Sequence, residues 1–328
     1  MDIAQKEFWH RHSDEVGLLK AGVSIQSHQL YSLRGHRAAN IVPSMLLPYE
    51  LGLLYALARD RFTGAGKIVD LGPLLGASTF CFSRGLEDNP RLNESMKIQS
   101  IYSFDLFRYR GYEKFLGNAP VDNATGNLLP AFIRNLRDYL EYVVINQGNF
   151  LTWQWDGQPV EILFVDIAKS WRLNTHVIQQ FFPCLEPDRS VLVQQDYVHF
   201  NEYWIHITME WFKDYFRYCG VLKGASTYYE LLRPIPVDQC QVDLEQLPFD
   251  QKWDLLSLAR EKMPKPAQEV MKTAAAKCAI EHDQWALAEA TLAEVDTSRL
   301  TDDPSQDFSG IAKDNLKKVT RLLAAKRG

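Results

Sequence analysis

Residues 68–80 constrain the fold most, because an apolar run is followed at once by two glycines and a segment typical of a helix start, IVDLGPLLGASTF. A glycine has no Cβ, so Gly72 and Gly76 allow a sharp turn and leave backbone amides accessible to a ligand. Ser78 and Thr79 suit the first turn of the helix. Such a turn in an α/β sheet either binds a ligand or only connects a strand to a helix. The rest of the chain has to distinguish these two interpretations.

The rest of the chain alternates between apolar runs typical of strands and segments long enough for helices. Four further strands are predicted at residues 98–105, 142–145, 160–166 and 190–196. Residues 201–218 predict an aromatic helix, and residues 218–222 with 227–233 predict a terminal hairpin. Strands that alternate with helices form right-handed βαβ units and a parallel sheet. We therefore expect an α/β fold with a mostly parallel seven-stranded sheet flanked by helices.

Acidic residues fall at the carboxyl ends of four of these strands. They are Asp70, Asp105, Asp166 and Asp196. The carboxyl ends of parallel strands share one edge of a sheet, so these residues are expected to border a common crevice. Asp105 ends the second strand, where an acid can accept hydrogen bonds from both hydroxyls of a ribose. The simpler alternative is that Asp105 caps the next helix.

Composition excludes several classes of partner. The formal net charge is −5, which gives no general attraction for nucleic acid or for an acidic membrane surface. No apolar run approaches the roughly 20 residues that span a bilayer, and the first residues do not read as a secretory leader. The five cysteines form no Cys-x-x-Cys pair, which favours reduced thiols. We expect a cytoplasmic protein.

The strand, acid and glycine of residues 68–76 resemble the first motif of class I S-adenosylmethionine (SAM) dependent methyltransferases. The resemblance covers about residues 45 to 235 and implies a Rossmann-like sheet with SAM as cofactor. The cofactor-binding residues that it implies are Asp70, Gly72, Gly76, Ser78, Asp105 and Asn149. Asn149 follows Gly148, where many of these enzymes have a Gly-Asp pair that contacts adenine, and the alternative is that Gly148-Asn149 is a plain turn. The two glycines lack the three-glycine dinucleotide fingerprint, which disfavours a NAD-dependent oxidoreductase.

A second resemblance concerns the ends of the fourth and fifth strands. Residues 164–169 and 195–197 are similar to the divalent-metal-dependent catechol and caffeoyl-coenzyme A O-methyltransferases. This similarity implies that Asp166 and Asp196 hold Mg²⁺ and that Lys169 helps to deprotonate a substrate hydroxyl. Those enzymes have Asn as a third ligand where this chain has Tyr197. His199 or a water molecule is therefore the candidate third metal ligand.

The same strand ends also resemble the macrocin-type sugar O-methyltransferases, through Asp166, Ser170, Trp171 and the pair Asp196-Tyr197. Three polar groups of that pattern are replaced, by Ala168, Lys169 and Gln195. The predicted function is SAM-dependent O-methyl transfer, assisted by Lys169, Asp166 and Mg²⁺, to a hydroxyl of a small sugar or natural-product-like acceptor. The alternative is a methyltransferase-fold protein that does not catalyse and acts through its C-terminal helices.

Three regions are expected along the chain. Residues 1–44 read as an N-terminal helical or lid segment, residues 45–236 as the methyltransferase domain and residues 237–328 as a helical C-terminal module. The cluster Arg34-Gly35-His36-Arg37 is a candidate to close over a substrate phosphate or carboxylate. The aromatic side chains of the helix predicted at residues 201–218 either line the binding site of the acceptor or pack in the core. A homo-oligomer is left open by the sequence.

Overall fold

The computed structural model describes residues 42–108, 126–222, 225–296 and 309–327. Its sheet has seven strands in the order β3-β2-β1-β4-β5-β7-β6. The strands are β1 Lys67–Leu71, β2 Ile101–Asp105, β3 Val143–Gln147, β4 Val160–Val165, β5 Val191–Gln194, β6 Phe216–Val221 and β7 Thr227–Leu231. β1 to β5 pair in parallel, whereas β7 is antiparallel to both β5 and β6. The predicted mostly parallel seven-stranded sheet with a terminal hairpin is confirmed.

Helices cover both faces of this sheet because successive strand residues point to opposite sides. Ile68 packs into one hydrophobic cluster, whereas Val69 and Leu71 pack into the other. The helices up to the end of the sheet are α1 Pro48–Ala56, α2 Ala77–Glu87, α3 Glu94–Lys97, α4 Leu129–Asn135, α5 Trp171–Phe181 and α6 Tyr203–Trp211. Leu57–Arg61 extends α1 as a π-helical turn.

Two elements differ from the prediction at their ends. The predicted aromatic helix over residues 201–218 is shorter, because α6 ends at Trp211 and Phe216 already begins β6. Phe216 pairs opposite Leu231 in the hairpin, and this sheet pairing takes precedence over the helical spacing of the aromatic residues. Tyr203 and Phe212 are almost fully buried in the core. Core packing is therefore their main role.

Four helices follow the sheet in the described residues, in a part of the chain that was predicted to be helical. They are α7 Phe249–Glu261, α8 Lys265–Glu281, α9 Trp285–Ala293 and α10 Ser309–Arg327. Leu256 of α7 and Met271 of α8 are buried in the same hydrophobic cluster as Val69 of the sheet. These helices therefore share a core with the sheet. The boundary between residues 236 and 237 stays a prediction.

The N-terminal segment is described only from Val42. Most of the predicted lid, including Arg34, His36 and Arg37, lies outside the described residues. None of the helices in the described ranges combines the length and apolar character that a membrane crossing requires.

Candidate active site

A cavity of about 330 Å³ opens at the carboxyl ends of β1 and β4. β1 lies between β2 and β4, so the chain connections leave in opposite directions at this point of the sheet. Ligands of open α/β sheets bind at such a switch point, and small-molecule sites measure about 300–1,000 Å³. Six predicted site residues line the cavity: Gly72, Ser78, Asp105, Asn149, Asp166 and Lys169. We call this cavity the crevice.

Gly72 permits the close contact between the two strand ends that form the crevice. Its φ is +94°, and a Cβ at this position would lie 2.9 Å from the backbone oxygen of Asp166. The Asp166 N–H donates to the Leu71 carbonyl at 2.8 Å. A side chain at residue 72 would therefore push the two loops apart and strain the backbone.

Gly76 closes the turn without lining the crevice. It has a φ of +93° at the N-terminus of α2, and a Cβ there would lie 3.0 Å from the Phe132 ring. Its N–H donates to the Pro73 carbonyl at 2.7 Å. Gly76 therefore packs the turn, and its predicted contact with a cofactor stays a prediction.

Asp70 lies beneath the crevice and is fully buried. Its carboxyl group accepts hydrogen bonds from Ser78 Oγ at 2.9 Å and from Thr79 Oγ1 at 2.6 Å. Burial raises the pKa of Asp70 to about 7, although both hydroxyl groups oppose this rise. Asp70 does not line the crevice in the described chain. Its contacts fix the start of α2 against β1, so it supports the glycine turn from below.

Asp105 joins two loops at the edge of the crevice. Its Oδ2 accepts from the Leu74 N–H at 3.0 Å, and its Oδ1 accepts from the Phe107 N–H at 2.8 Å. Leu74 has a φ of +53°, which is uncommon for a residue with a side chain. Asp105 also lines the crevice, so its carboxylate, an acceptor of hydrogen bonds, borders the space that a ligand would fill.

Asn149 borders the crevice beyond β3. Its Oδ1 accepts from the Leu151 N–H at 3.2 Å, which caps the short 3₁₀ helix Phe150–Thr152. The N–H of Gly148 donates to the Asp105 carbonyl at 3.0 Å. The loops after β2 and β3 are therefore held together, and Asn149 stands on the Asp105 side of the crevice.

Lys169 joins the ends of β4 and β5. Its Nζ donates to Asp166 Oδ1 at 2.6 Å and also to Asp196 Oδ2. Asp196 has a φ of +59°, a conformation that Asp adopts more readily than most residues. The Lys169 side chain keeps 43% of its surface accessible, compared with 18% for Asp166 and 24% for Asp196. Solvent therefore screens this ion-pair cluster in part.

The cluster determines which of its groups can accept a proton. Burial disfavours the Lys169 ammonium, but the carboxylates of Asp166 and Asp196 outweigh that cost and raise the pKa of Lys169. Burial also raises the pKa of Asp166, against the opposing charge of Lys169. The two carboxylates thus favour the protonated form of Lys169, which makes it a poor proton acceptor. Asp166 is the better candidate for a base.

The three predicted metal ligands do not come together as one set. Asp166 and Asp196 both bind the Lys169 ammonium, whereas His199 Nδ1 lies 2.5 Å from Glu202 Oε2. Across the described ranges, no three His, Cys, Asp or Glu side chains form a group that could hold a metal ion. The residues present therefore do not fit Mg²⁺, because a lysine ammonium lies between the two carboxylates.

Several crevice residues were not singled out from the sequence. They are Pro43, Ser44, Met45, Leu46, Leu106 and Arg108. Met45 is 46% exposed and lines the crevice. No motif marks these positions. Only the folded chain shows that the segment before α1 lines the crevice.

No family model matches the chain, and no curated protein was found to be similar. Solved structures of similar fold include a methyltransferase from Geobacter sulfurreducens, with 15% identity, 67% of this chain and 96% of that chain covered, and a TM-score of 0.38. A Bacillus cereus O-methyltransferase in complex with SAH has 15% identity, coverage of 64% and 93%, and a TM-score of 0.39. The TDP-rhamnose 3′-O-methyltransferase of calicheamicin biosynthesis has 16% identity, coverage of 70% and 95%, and a TM-score of 0.38. At such low identity we base the fold assignment on the strand order of this chain.

Proposed function

We propose that this protein is a SAM-dependent O-methyltransferase for a small hydroxylated acceptor. The observation that carries the proposal is the arrangement around one glycine turn. Asp105 and Asn149 line the crevice together with Asp166 and Lys169, and Gly72 of the turn lines it too. A nucleoside-binding group and a proton-accepting group therefore face the same cavity. Methyl transfer needs both, because the donor and the hydroxyl must be held in line.

The residues of the crevice fit the proposed cofactor. Gly72 and Leu74 line the crevice at the turn, and the carboxylate of Asp105 at the end of β2 is the type of group that binds the hydroxyls of a ribose. Asn149 carries an amide that can pair with the edge of an adenine. SAM, when bound, supplies the electrophilic methyl group. The predicted roles of Asp70 and Gly76 become indirect, because both support the turn.

The acceptor hydroxyl has to lose its proton during transfer. The raised pKa of Asp166 makes its carboxylate a stronger base than an exposed one, and general bases work best when their pKa lies near the working pH. The protonated Lys169 would stabilise the negative charge that develops on the acceptor oxygen. This assignment reverses the predicted base role of Lys169. It also uses no metal ion, because Lys169 supplies the positive charge at this position.

Titration calorimetry of the full chain with SAM tests the proposal. We expect heat of binding in the wild type and affinity at least about tenfold lower in Asp105→Ala, since hydrogen bonds to a charged group contribute about 1.5–3 kcal/mol. Asp105→Asn keeps one acceptor oxygen and should give an intermediate loss. Asp138→Ala is the matched control, because that side chain is 77% exposed. Absence of heat from the wild type at about 1 mM SAM would refute SAM binding.

A non-catalytic interaction protein is the second candidate function. It is favoured by one observation: Lys169 is held by two carboxylates rather than directed to a substrate. Radiolabelled SAM with a panel of hydroxylated small molecules separates the two functions. Label transferred to an acceptor oxygen supports the enzyme. SAM binding without transfer to any hydroxyl would support the interaction protein.

A further inference from the structure

A second cavity, of about 580 Å³, lies between the sheet helices and the C-terminal helices. Its walls come from the start of α5, the start of α6, and the facing parts of α7 and α8 with the loop that precedes α7. We propose that it binds a small molecule in which a carboxylate or phosphate is attached to a flat ring. This proposal goes beyond the methyl-transfer function and does not depend on it. Of the residues that the structure describes, only Ser170 lines both this cavity and the crevice.

Lys252 supplies the main reason to expect an anion. This residue of α7 is only 3% exposed and lines the cavity. Its Nζ donates to the Glu245 backbone carbonyl at 2.6 Å and lies 3.1 Å from His282 Nε2. Neither partner carries a negative charge, and no carboxylate pairs with Lys252 among the described residues. A buried charge without an opposite charge is costly, so an anion in the cavity would offset that cost.

The hydrogen bonds of His282 show how many donors Lys252 has left. His282 Nδ1 lies 2.9 Å from the Cys278 carbonyl, which can only accept, so Nδ1 carries the proton. Nε2 of this neutral imidazole therefore accepts from Lys252. An ammonium has three N–H groups. Two are used, and the third remains for a ligand in the cavity.

Aromatic side chains form the wall beside Lys252. Trp171 and Trp204 have ring centroids 5.9 Å apart, and Lys252 Nζ lies 5.5 Å from the centre of the Trp171 ring. Trp204 is fixed by its Nε1–H, which donates to the Ala168 carbonyl at 2.7 Å. Tyr203 is fixed by its hydroxyl, which donates to Glu281 at 2.7 Å. Preordered rings of this kind favour a flat ring as ligand.

The other charges at the cavity are consistent with an anionic ligand. Arg172 is exposed at the start of α5 and adds a second positive charge at the cavity wall. Glu281 already pairs with Lys277 at 2.6 Å. Glu245 is exposed, so solvent and salt screen its charge. The buried end of the cavity is therefore positive, and its acids are paired or exposed.

Calorimetry of the full chain with benzoate and with phenyl phosphate tests the site, and the two probes distinguish a carboxylate from a phosphate ligand. We expect one of them to bind at a single site. Benzyl alcohol has the ring without the charge and should bind at least about tenfold more weakly. Lys252→Met should lower the affinity for the anionic probe by a similar factor. Arg172→Gln changes an exposed residue and should lower this affinity by about threefold. Asp105→Ala alters only the crevice and should leave this binding unchanged.

Several results would overturn the second site. They are no heat from either probe at about 10 mM, benzyl alcohol binding as tightly as benzoate, or unchanged anion affinity in Lys252→Met. If Asp105→Ala no longer bound the anionic probe, the probe's binding site would be the crevice instead. The comparison of benzoate with benzyl alcohol uses only the wild type, so it decides the question even if Lys252→Met does not fold. SAM binding by Lys252→Met should equal that of the wild type, which separates this site from the proposed function.

Discussion

Replacing Lys169 by methionine should destabilise the protein in a pH-dependent way. The ammonium of Lys169 contacts both Asp166 and Asp196, so its removal leaves two carboxylates close together without a cation. Two like charges about 5 Å apart repel by about 3 kcal/mol at an effective dielectric constant of about 20. The accessible surface of all three side chains reduces this value by roughly half. We expect a loss of about 1.5 kcal/mol of unfolding free energy at pH 8.

The sign of the pH dependence follows from Asp166. Its pKa is already raised in the folded protein, and the variant raises it further. A carboxyl group with a raised folded pKa stabilises the fold at low pH and loses that contribution as the pH rises through the folded pKa. The difference between wild type and variant should therefore be large at pH 8 and small at pH 5, where Asp166 binds a proton.

Urea denaturation at the two pH values measures this effect. Lys169→Arg keeps the positive charge and should be less destabilised than Lys169→Met at pH 8. Lys318→Met is the matched control, because Lys318 forms an exposed ion pair with Asp314 and such pairs contribute about 0.3–0.5 kcal/mol. An equal loss of stability for Lys169→Met at pH 5 and pH 8 would refute the electrostatic argument.

Two further predictions concern the glycine turn and its support. Gly72→Ala should lower the unfolding free energy measured by urea denaturation by about 3 kcal/mol or more, because residue 72 has a positive φ and its Cβ would lie 2.9 Å from a backbone atom. Gly157→Ala is the control: residue 157 also has a positive φ but no atom within 4 Å of its Cβ, so the loss should be about 1 kcal/mol. Similar losses for both variants would contradict the close contact at Gly72. Asp70→Asn should flatten the dependence of stability on pH. Burial raises the pKa of Asp70 to about 7. Between pH 6 and pH 8 the wild type should therefore lose about 1 kcal/mol more unfolding free energy than the variant. Parallel curves of unfolding free energy against pH would show that Asp70 does not titrate in this range.

The fold was largely predictable because its signals are local. The apolar residues before Gly72 and the spacing of later strands are sufficient to predict parallel strands with helices between them. The end of the aromatic helix could not be predicted, because Phe216 belongs to β6 and pairs with Leu231, which is distant in sequence. Long-range pairing took precedence over local periodicity at that position.

The site was predictable only as a set of residues on one edge of the sheet. The position of an acid at a strand end predicts where it lies but not what it binds. Asp105 and Asn149 line the crevice, whereas Asp70 is buried under it and His199 pairs with Glu202. The predicted Mg²⁺ ligands Asp166 and Asp196 both bind Lys169 instead. The direction of each side chain depends on neighbours that no single motif contains.

The sequence by itself determined the order of strands and helices and the glycine turn at residues 72–76, because hydrophobic spacing and a missing Cβ act over a few residues. The tertiary structure alone decided how charges are paired. It placed Lys169 between two carboxylates, and it buried Lys252 of α7 beside aromatic rings of the earlier helices. These pairings depend on distances between segments far apart in the chain. Their energies also depend on burial, which only the packed fold determines.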